Sequence, residues 1–509
     1  MITIIYNNLI QKPVLLFFVI IILTIIYSCY FYKNSSKTIV TTALYVNLVL
    51  FQLMFILFGV LDYKSNYSLQ ITQFNDFNSL LLNVTNTNYW GNLTFGVDIV
   101  SNIFAVLTIL LISVALVIGS NNRVYGTIKF YTILILIIEL MLLITFYTSD
   151  LFIFYLGFEG LTIPTFFLIF IFGAEVTKLR AAKFFLIYSF FSSTLLSFAI
   201  ILLYIQYQTT SLNALIIYFT NPTINNVLST ERYILIYLLL VIGFGIKIPI
   251  APFHMWLPEA HAEASTAGSL ILAGLILKLG GYGILRFVLP LFNNFTIFYP
   301  YIQTTCIISI LICSFSYLRT TNLKQIIAYT SIVHMNIITL GLFSQHSIVV
   351  VGSIFSMISH SLISSSLFIC AGILYNRFGS YEIQDFQGLS QTMPIFSFFL
   401  IVLTLSNIAF PLTFSFIGEF ILLVDLINVN LYMFLMVIIL ISLNTIYSLW
   451  ILNRIVYTDI TAININTHKL IKFQDLDIDE IYILSFFIII IIWLGVAPNN
   501  LLSLFTVYI

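Results

Sequence analysis

The chain has 509 residues, of which 61% are hydrophobic and 7% are charged, and its mean hydropathy is +1.09. A water-soluble domain usually carries about a quarter charged residues, so this composition excludes a soluble globular protein and indicates one whose solvent is mainly lipid. The 19 basic residues balance the 19 acidic ones. Because no basic field remains to attract phosphates, nucleic-acid binding is also excluded.

Apolar runs separated by polar or Pro- and Gly-containing breaks recur along the chain. A helix needs about 20 residues to cross a hydrocarbon layer ~30 Å thick, so these runs predict an all-α, polytopic membrane protein with about fourteen transmembrane helices. The predicted spans are 13–32, 39–61, 97–119, 127–148, 150–172, 181–206, 232–262, 265–290, 296–318, 322–343, 348–375, 394–427, 431–457 and 480–500.

Two connections and the N-terminus are also informative. An Asn-rich segment joins the second span to the third, and residues 458–479 gather acidic and basic side chains, which predicts a solvated loop or a helix at the interface. The first apolar run starts without an Arg-rich, Ser-rich transit stretch. The many Phe and Tyr residues, 49 and 30, indicate an AT-rich coding genome. Together these features favour an organelle-encoded protein.

The seventh and twelfth spans are too long for one straight crossing and contain internal prolines. Proline removes a backbone donor, and paired interrupted helices in two halves of a chain are typical of transport sites. Lys247 stands two residues before Pro249, and Glu419 stands eight residues after Pro411. These breaks therefore predict transport, with a simple packing kink as the alternative.

Ionisable residues inside the spans are the strongest signal for function. A charge at the bilayer centre costs at least about 2.5 kcal/mol, and a desolvated lysine exchanges its proton more readily than one in water. We predict that Glu159 and Lys247 form a charge pair. Glu139 and Asp425 are equally compatible with structural contacts, and each histidine is compatible with packing. The ionisable residues are Glu139, Glu159, Lys247, Lys278, His334, His360, Glu419 and Asp425.

The sequence contains no spacing that is typical of a cofactor or metal site. Its four cysteines lie in apolar runs without a CxxC pair, and no histidines follow the i, i+4 spacing of a ligating helix. We therefore expect no cofactor and no metal in this chain. The polar residues His254, Glu259, His261 and Glu263 follow the first break, and we interpret them as a capped interfacial loop rather than a channel mouth.

Three long stretches and two short ones resemble the subunit 4 family of respiratory complex I. The most diagnostic stretch is GFGIKIPIAPFHMWLPEAHAEASTAGSLILAGLILKLGGYGILRF, from Gly243 to Phe287. The likeness continues through LRTTNLKQIIAYTSIVHMN and MISHSLISSSLFICAGILYNR, and it includes FIGEF around Glu419 and FYLGFEGLTIPTFFLIF around Glu159. It covers roughly residues 140 to 455.

This resemblance implies an antiporter-like fold with two inverted five-helix repeats and two broken helices. The implied organisation is 1–123 for N-terminal helices, 124–290 for a first repeat broken near Pro249, 291–457 for a second repeat broken near Pro411, and 458–509 for a polar loop and C-terminal helix. Ser265 and Val333 depart from the family pattern, at positions where proline and serine are common. Neither change removes a titrating group.

The resemblance also implies a role for each matched side chain. Glu159 would modulate Lys247 on the first broken helix, and Lys278 would be the central lysine between the two halves. Glu419 would be the terminal exchanger on the second broken helix. His334 and His360 match family histidines along the same polar axis.

The implied function is proton translocation coupled to electron transfer from NADH to ubiquinone. The chain would work in the mitochondrial inner membrane beside other membrane-arm subunits of complex I, especially neighbouring antiporter-like ones, and beside lipids such as cardiolipin. NADH, FMN, iron-sulfur clusters and ubiquinone would bind in other subunits. One alternative is a subunit of a multi-subunit cation/proton antiporter, which usually has lysine at the position of Glu419. A non-conducting scaffold is the other alternative.

Overall fold

The computed structural model describes residues 17–28, 36–60, 70–72, 95–121, 128–173, 177–220, 230–293, 295–344, 346–429, 431–458 and 474–508. The chain divides into two compact units. Unit 1 comprises Met1–Lys247, Leu279–Phe295 and Leu504–Ile509, and unit 2 comprises Ile248–Lys278 and Thr296–Ser503.

Helices dominate the described part of the first 247 residues. A short antiparallel pair of strands, β1 (Gln70–Thr72) and β2 (Phe95–Val97), places Gln70 opposite Val97. The helices are α1 (Phe17–Ser28), α2 (Ser36–Val60), α3 (Ile99–Asn121), α4 (Ile128–Tyr147), α5 (Leu151–Gly160), α6 (Thr162–Phe172), α7 (Lys178–Tyr207), α8 (Leu212–Thr220) and α9 (Thr230–Lys247).

The rest of the described chain is also helical, with two π-helical and two 3-10 turns. The π-helical turns are Leu272–Ile276 and Ile284–Val288, and the 3-10 turns are Thr296–Phe298 and Ile383–Asp385. The α-helices are α10 (Trp256–Glu263), α11 (Thr266–Ile271), α12 (Leu277–Gly283), α13 (Leu289–Leu291), α14 (Tyr299–Tyr317), α15 (Leu323–Leu342), α16 (Ser347–Phe378), α17 (Leu389–Thr392), α18 (Pro394–Asn407), α19 (Phe414–Val429), α20 (Leu431–Val456), α21 (Ile478–Val496) and α22 (Asn499–Tyr508).

Many of these helices have the length and composition of membrane spans. By those two criteria, ten helical segments within the described residues are able to cross a membrane, and shorter apolar helices lie within α1, α2, α18 and α19. The predicted all-α, many-pass class is confirmed. The number fourteen, the inverted repeats and the domain boundaries stay predictions.

Both long predicted spans are interrupted at their prolines. Helix α9 ends at Lys247 and α10 begins at Trp256, so Pro249 and Pro252 lie in the non-helical stretch between them. Helix α18 ends at Asn407 and α19 begins at Phe414. The predicted breaks near Pro249 and Pro411 therefore appear as expected from proline's missing backbone donor.

The core of unit 1 contains a buried ion pair beside stacked aromatic rings. The Arg286 guanidinium lies 2.5 Å from the Asp98 carboxylate, and their side chains are 5% and 7% exposed. Asp98 also accepts a hydrogen bond from the backbone N–H of Ser101 at the start of α3. Nearby, the Tyr282 hydroxyl donates to the carbonyl of Phe146 at 2.8 Å. These contacts tie α3 and α4 to the segment that carries Arg286.

In unit 2 helix α16, whose central part is buried, packs against α15 and α19. Its contact with α19 is unusually close, because a Cβ atom on Gly418 would lie 2.9 Å from the backbone nitrogen of Ser356 and 3.1 Å from the carbonyl oxygen of Gly352. Small residues permit such contact between helices in lipid. The glycines therefore set the distance between these two helices.

The described end of the predicted polar segment 458–479 binds the ends of neighbouring helices. Its residues 459–473 lie outside the described part. The Asp475 side chain accepts from the backbone N–H of Ile395 and Phe396 at the start of α18, at 2.9 and 3.2 Å. Arg377, at the end of α16, forms an ion pair with Glu480 at 2.6 Å. This short stretch therefore anchors the first half of the second broken helix.

The Asp98 ion pair gives a prediction about stability. Asp98→Asn keeps a side-chain oxygen that can cap Ser101 but leaves the Arg286 charge buried without its partner, a change that typically costs about 3–5 kcal/mol. We expect less assembled protein on native gels and a lower thermal midpoint. The control is Glu382→Gln, at an exposed carboxylate, for which a change within about 0.5 kcal/mol is expected. Equal midpoints for both variants would contradict the role of the pair.

Candidate functional site

Lys247, the last residue of α9, is surrounded by aromatic rings in unit 1. Its side chain is 2% exposed, and its ammonium donates to the Ser189 hydroxyl at 3.2 Å. The ring centroids of Phe158 and Phe185 each lie 5.1 Å from the ammonium nitrogen. Cation–π attraction and one hydrogen bond therefore replace the hydration shell of this lysine.

Glu159 stands next to this aromatic enclosure but does not contact Lys247. It lies in the last turn of α5, directly after Phe158, and it is partly exposed. Among the described residues, no ion pair joins its carboxylate to Lys247. The Tyr155 hydroxyl, one turn earlier, is the neighbour with which the carboxylate interacts. The predicted pair of Glu159 and Lys247 is therefore not a direct contact, although Phe158, the neighbour of Glu159 in the chain, lies against the lysine.

Lys278 in unit 2 is fully buried and hydrogen-bonded. It lies in α12, directly after the π-helical turn Leu272–Ile276, and its exposure is 0%. Its ammonium donates to the Ala273 carbonyl at 2.6 Å and lies 2.7 Å from Nδ1 of His360. When Lys278 is protonated its ammonium can only donate, so His360 then accepts through Nδ1 and carries its own proton on Nε2.

His334 continues the series from His360 to Glu419. The two imidazole centroids are 5.7 Å apart, and Nδ1 of His334 lies 3.0 Å from Oε1 of Glu419. Glu419 is buried in α19, in the second turn after the break. The structure thus brings four of the predicted residues together in one line of contacts. Lys278 lies in α12, and His360, His334 and Glu419 lie in α16, α15 and α19.

A small cavity lies between these histidines and Glu419. About 10 Å³ is available in it to the centre of a water molecule, which is close to the minimum that one water needs. Polar groups of Ser356, Ser359, Asn407 and Ser415 contribute to its lining. The Nε2 atoms of both histidines have no hydrogen-bond partner within the described residues. The cavity therefore offers a position from which one water can bridge the two rings.

The backbone of the second break is satisfied locally. The Ser415 hydroxyl donates to the Ser406 carbonyl at 2.5 Å, and the backbone N–H of Ala409 donates to the same carbonyl at 3.2 Å. Ala409 and Leu412 have positive φ angles of 59° and 76°, so the backbone leaves the right-handed helical conformation at these two residues. These bonds let the helix restart at Phe414 and position Glu419 beside His334.

Sequence reasoning missed two buried basic side chains of unit 2. The interpretation of the segment with His261 as an interfacial loop is wrong, because His261 lies in α10, is 0% exposed and stacks on Phe368 with centroids 4.6 Å apart. Lys324 is also 0% exposed, and its ammonium donates to the Ala264 carbonyl at 2.5 Å. Both residues lie near helix ends, where hydropathy alone predicts exposure.

The remaining predicted ionisable residues and the cysteines are not part of this line of contacts. Glu139 is fully buried in α4, and the side chain of Asp425 lies outside the described part. Cys306, Cys313 and Cys370 are buried free thiols. Within the described ranges, no three His, Cys, Asp or Glu side chains are grouped so as to hold a metal ion.

Comparisons with known proteins agree with this architecture. A family model described as "NADH:quinone oxidoreductase/Mrp antiporter, TM" matches residues 148–444. NADH-ubiquinone oxidoreductase chain 4 of Chondrus crispus is 39% identical over 411 residues, which is 81% of each chain. The Arabidopsis thaliana protein of the same name is 40% identical over 414 residues, with the same coverage.

Solved structures share the fold at low sequence identity. A chain of respiratory complex I from Thermus thermophilus with bound NADH matches with a TM-score of 0.80 at 21% identity, covering 97% of this chain and 99% of that one. A chain of the Mrp complex from Dietzia matches with the same TM-score at 16% identity, covering 100% and 97%. The fold and the matched family model define an antiporter-like membrane subunit. The chain belongs to the NADH-ubiquinone oxidoreductase chain 4 family.

The close contact of α16 with α19 gives a prediction about the site. In Gly418→Ala the added methyl group meets the backbone of α16, which cannot yield as a flexible side chain does, so Glu419 should move away from His334. Overpacking of this kind typically costs about 1–3 kcal/mol. We expect lower thermal stability and less coupled proton pumping.

The matched control is Gly160→Ala, beside Glu159. There the nearest atoms to the added methyl all belong to the Met141 side chain, with the sulfur at 3.0 Å, and that long side chain can move aside. We expect Gly160→Ala to be close to wild type. Equal behaviour of the two alanine variants in thermal melts and pumping assays would show that backbone contact at Gly418 is unimportant.

Proposed function

We propose that this chain is a proton-translocating membrane-arm subunit of respiratory complex I, the NADH:ubiquinone oxidoreductase. The observation that carries the proposal is the contact series from Lys278 through His360 and His334 to Glu419. Each member is able to bind and release a proton. Lys278, His360 and Glu419 are buried, and the His334 side chain is only 11% exposed, so each lies where an ionisable group is costly unless it serves a function. Family membership supports the same conclusion.

Proton movement along this series needs no large displacement. Lys278 passes a proton to Nδ1 of His360 and becomes a neutral amine, and His360 releases its Nε2 proton towards His334 through a water in the cavity. His334 exchanges directly with Glu419 across the 3.0 Å contact. Each transfer moves one positive charge by one neighbour, so each step stays local.

Lys247 and Glu159 form the second part of the proposal. Two aromatic rings and Ser189 support the Lys247 ammonium but supply no negative charge, so its protonation is sensitive to the charge of the partly exposed Glu159 nearby. Glu159 would act by changing the field at Lys247, with Phe158 beside it in the chain. We propose that neutralising Glu159 favours release of the Lys247 proton.

The proposal includes the finer architecture implied by the sequence. The chain would have fourteen transmembrane helices and two inverted repeats, within residues 124–290 and 291–457. It would lie in the mitochondrial inner membrane beside other antiporter-like subunits and lipids, including cardiolipin. NADH, FMN, iron-sulfur clusters and ubiquinone would be held by other subunits, and this chain would couple their electron transfer to proton movement.

A cation/proton antiporter subunit is the second candidate, because the fold also matches a chain of an Mrp complex with a TM-score of 0.80. Glu419 argues against it, since the resemblance to antiporter subunits implies lysine at that position. Co-purification distinguishes the two. Complex I membership requires that the intact chain travels with NADH dehydrogenase activity, and an antiporter subunit would separate from it.

Removal of Lys247 tests the second part of the proposal, the role of Lys247 and Glu159. Lys247→Ala should reduce coupled proton pumping on the order of tenfold or more, because general acid–base groups typically contribute 10²- to 10⁴-fold. Glu159→Gln should reduce it less, because it changes the field and keeps the lysine. Pumping would be measured during NADH oxidation, with assembly checked on native gels. Lys183→Ala, at an exposed lysine of α7, is the control and should pump normally. Normal pumping by fully assembled Lys247→Ala would exclude a role for that ammonium.

Replacement of Glu419 tests whether titration or only polarity matters at the end of the contact series from Lys278 to Glu419. Glu419→Gln keeps the size and hydrogen bonding of the side chain but cannot exchange a proton, so pumping should fall strongly. Glu419→Asp retains a carboxyl group and should keep part of the activity. The assay is proton pumping by reconstituted complex. If Gln performs as well as Asp, Glu419 is not an exchange site.

A further inference from the structure

Two buried polar side chains of unit 1 face each other without an assigned role. Glu139 lies in α4 with an exposure of 0%, and Asn47 lies in α2 with an exposure of 1%. Among the described residues, none of their four side-chain oxygen and nitrogen atoms has a hydrogen-bond partner of standard geometry. Asn47 is the side chain that interacts with the Glu139 carboxyl group. The two groups are therefore neighbours whose hydrogen bonds remain to be completed.

Their surroundings are apolar. Leu50 and Leu143, each one turn further along the two helices, belong to a hydrophobic cluster and are fully buried. Glu139 is the twelfth of the 20 residues of α4, so it lies near the middle of a candidate membrane span. No ion pair in the described part of the chain includes Glu139. A negative charge at this position would therefore be buried without a compensating cation, at a cost of several kcal/mol.

A count of donors and acceptors shows which form of Glu139 fits Asn47. The amide offers a donor at Nδ2 and an acceptor at Oδ1, and an ionised carboxylate offers acceptors only. An ionised Glu139 would pair with Nδ2 but leave Oδ1 without a donor. A carboxylic acid donates its O–H to Oδ1 and accepts from Nδ2, which completes the hydrogen bonds of both groups, directly or through one water.

We propose that Asn47 and Glu139 form a proton-binding site in the membrane interior, in which Glu139 holds the proton and the Asn47 amide stabilises the acid form. The ligand is a single proton. During turnover the carboxylate takes up one proton from water, and the acid returns one proton to water, so the exchange needs no oxidant or cofactor. The contacts of Lys247 are with Ser189, Phe158 and Phe185, and none of these residues lies in α2 or α4. The site is therefore additional to the residues of the proposed function.

We propose that exchange follows the polar groups that begin at the buried Tyr147, two turns further along α4. Its hydroxyl lies 2.8 Å from the Met54 sulfur and donates to Oδ1 of Asn102 at 3.0 Å. Asn102 is one turn from Asp98 at the start of α3. About 12 Å of helix separates Tyr147 from Glu139, and the buried Leu143 lies between them on α4. Exchange along this route would be slow unless water enters past Leu143.

The test uses the intact complex and three variants. Glu139→Gln is the key change, because an amide pair keeps both hydrogen bonds with Asn47 and removes only the titratable proton. We expect it to assemble normally, to lose a carboxylic-acid C=O band from turnover-induced infrared difference spectra, and to pump fewer protons per electron. Asn47→Leu should shift that band, because the acid loses its hydrogen-bond partner. Glu382→Gln, at an exposed carboxylate, should leave the spectrum and the pumping ratio unchanged.

Three results would overturn the proposal. The first is a carboxylic-acid band that persists unchanged in Glu139→Gln, and the second is a pumping ratio equal to wild type in that variant. The third is an unshifted band in Asn47→Leu, a variant that retains the carboxyl group and so provides the test where Glu139→Gln fails to assemble. Lys247→Ala is measured in parallel, because its site shares no contacts with Asn47 and Glu139. If Lys247→Ala lowers pumping and Glu139→Gln does not, only the Asn47–Glu139 proposal fails. If fully assembled Lys247→Ala pumps normally, the proposed role of Lys247 fails instead.

Discussion

The Lys278 ammonium group must be solvated by the protein, because its span is completely buried and lipid offers no hydrogen bonds. The preceding π-helical turn places the Ala273 carbonyl within 2.6 Å of the ammonium nitrogen, and His360 supplies the second contact. This requirement determines how the His360 ring is oriented. His360 turns Nδ1 towards the lysine, and its ring lines the cavity together with His334 and Glu419.

Each interrupted helix has a backbone carbonyl that accepts a hydrogen bond from a polar side chain, from within the break in one case and from a neighbouring helix in the other. At the second break the carbonyl of Ser406 accepts from the Ser415 hydroxyl and from a backbone N–H. At the first break the Asn336 side chain donates to the Pro249 carbonyl at 3.4 Å. An unsatisfied carbonyl in hydrocarbon costs several kcal/mol, so these polar side chains are part of what makes each break stable.

The two lysines illustrate different ways of holding a cation in an apolar environment. Aromatic faces and one hydroxyl surround Lys247, whereas a carbonyl and an imidazole contact Lys278. Aromatic faces stabilise the charged form but cannot accept the proton, so Lys247 depends on water or on a more distant carboxylate for exchange. The imidazole beside Lys278 is itself a proton acceptor. A lysine in such a contact is suited to direct transfer.

The sequence by itself determined the membrane class, the positions of most helices and both interruptions, since hydropathy and proline act locally along the chain. It also selected Lys278, His334, His360 and Glu419, because ionisable residues are rare in apolar spans. Tertiary structure decided which of these side chains touch. It placed Phe158 rather than Glu159 against Lys247, and it covered His261, which lies at a helix end where composition predicts exposure. The physical reason is that contacts depend on how each helix is rotated and packed against its neighbours, and hydropathy that is high on every face of a helix carries no information about that rotation.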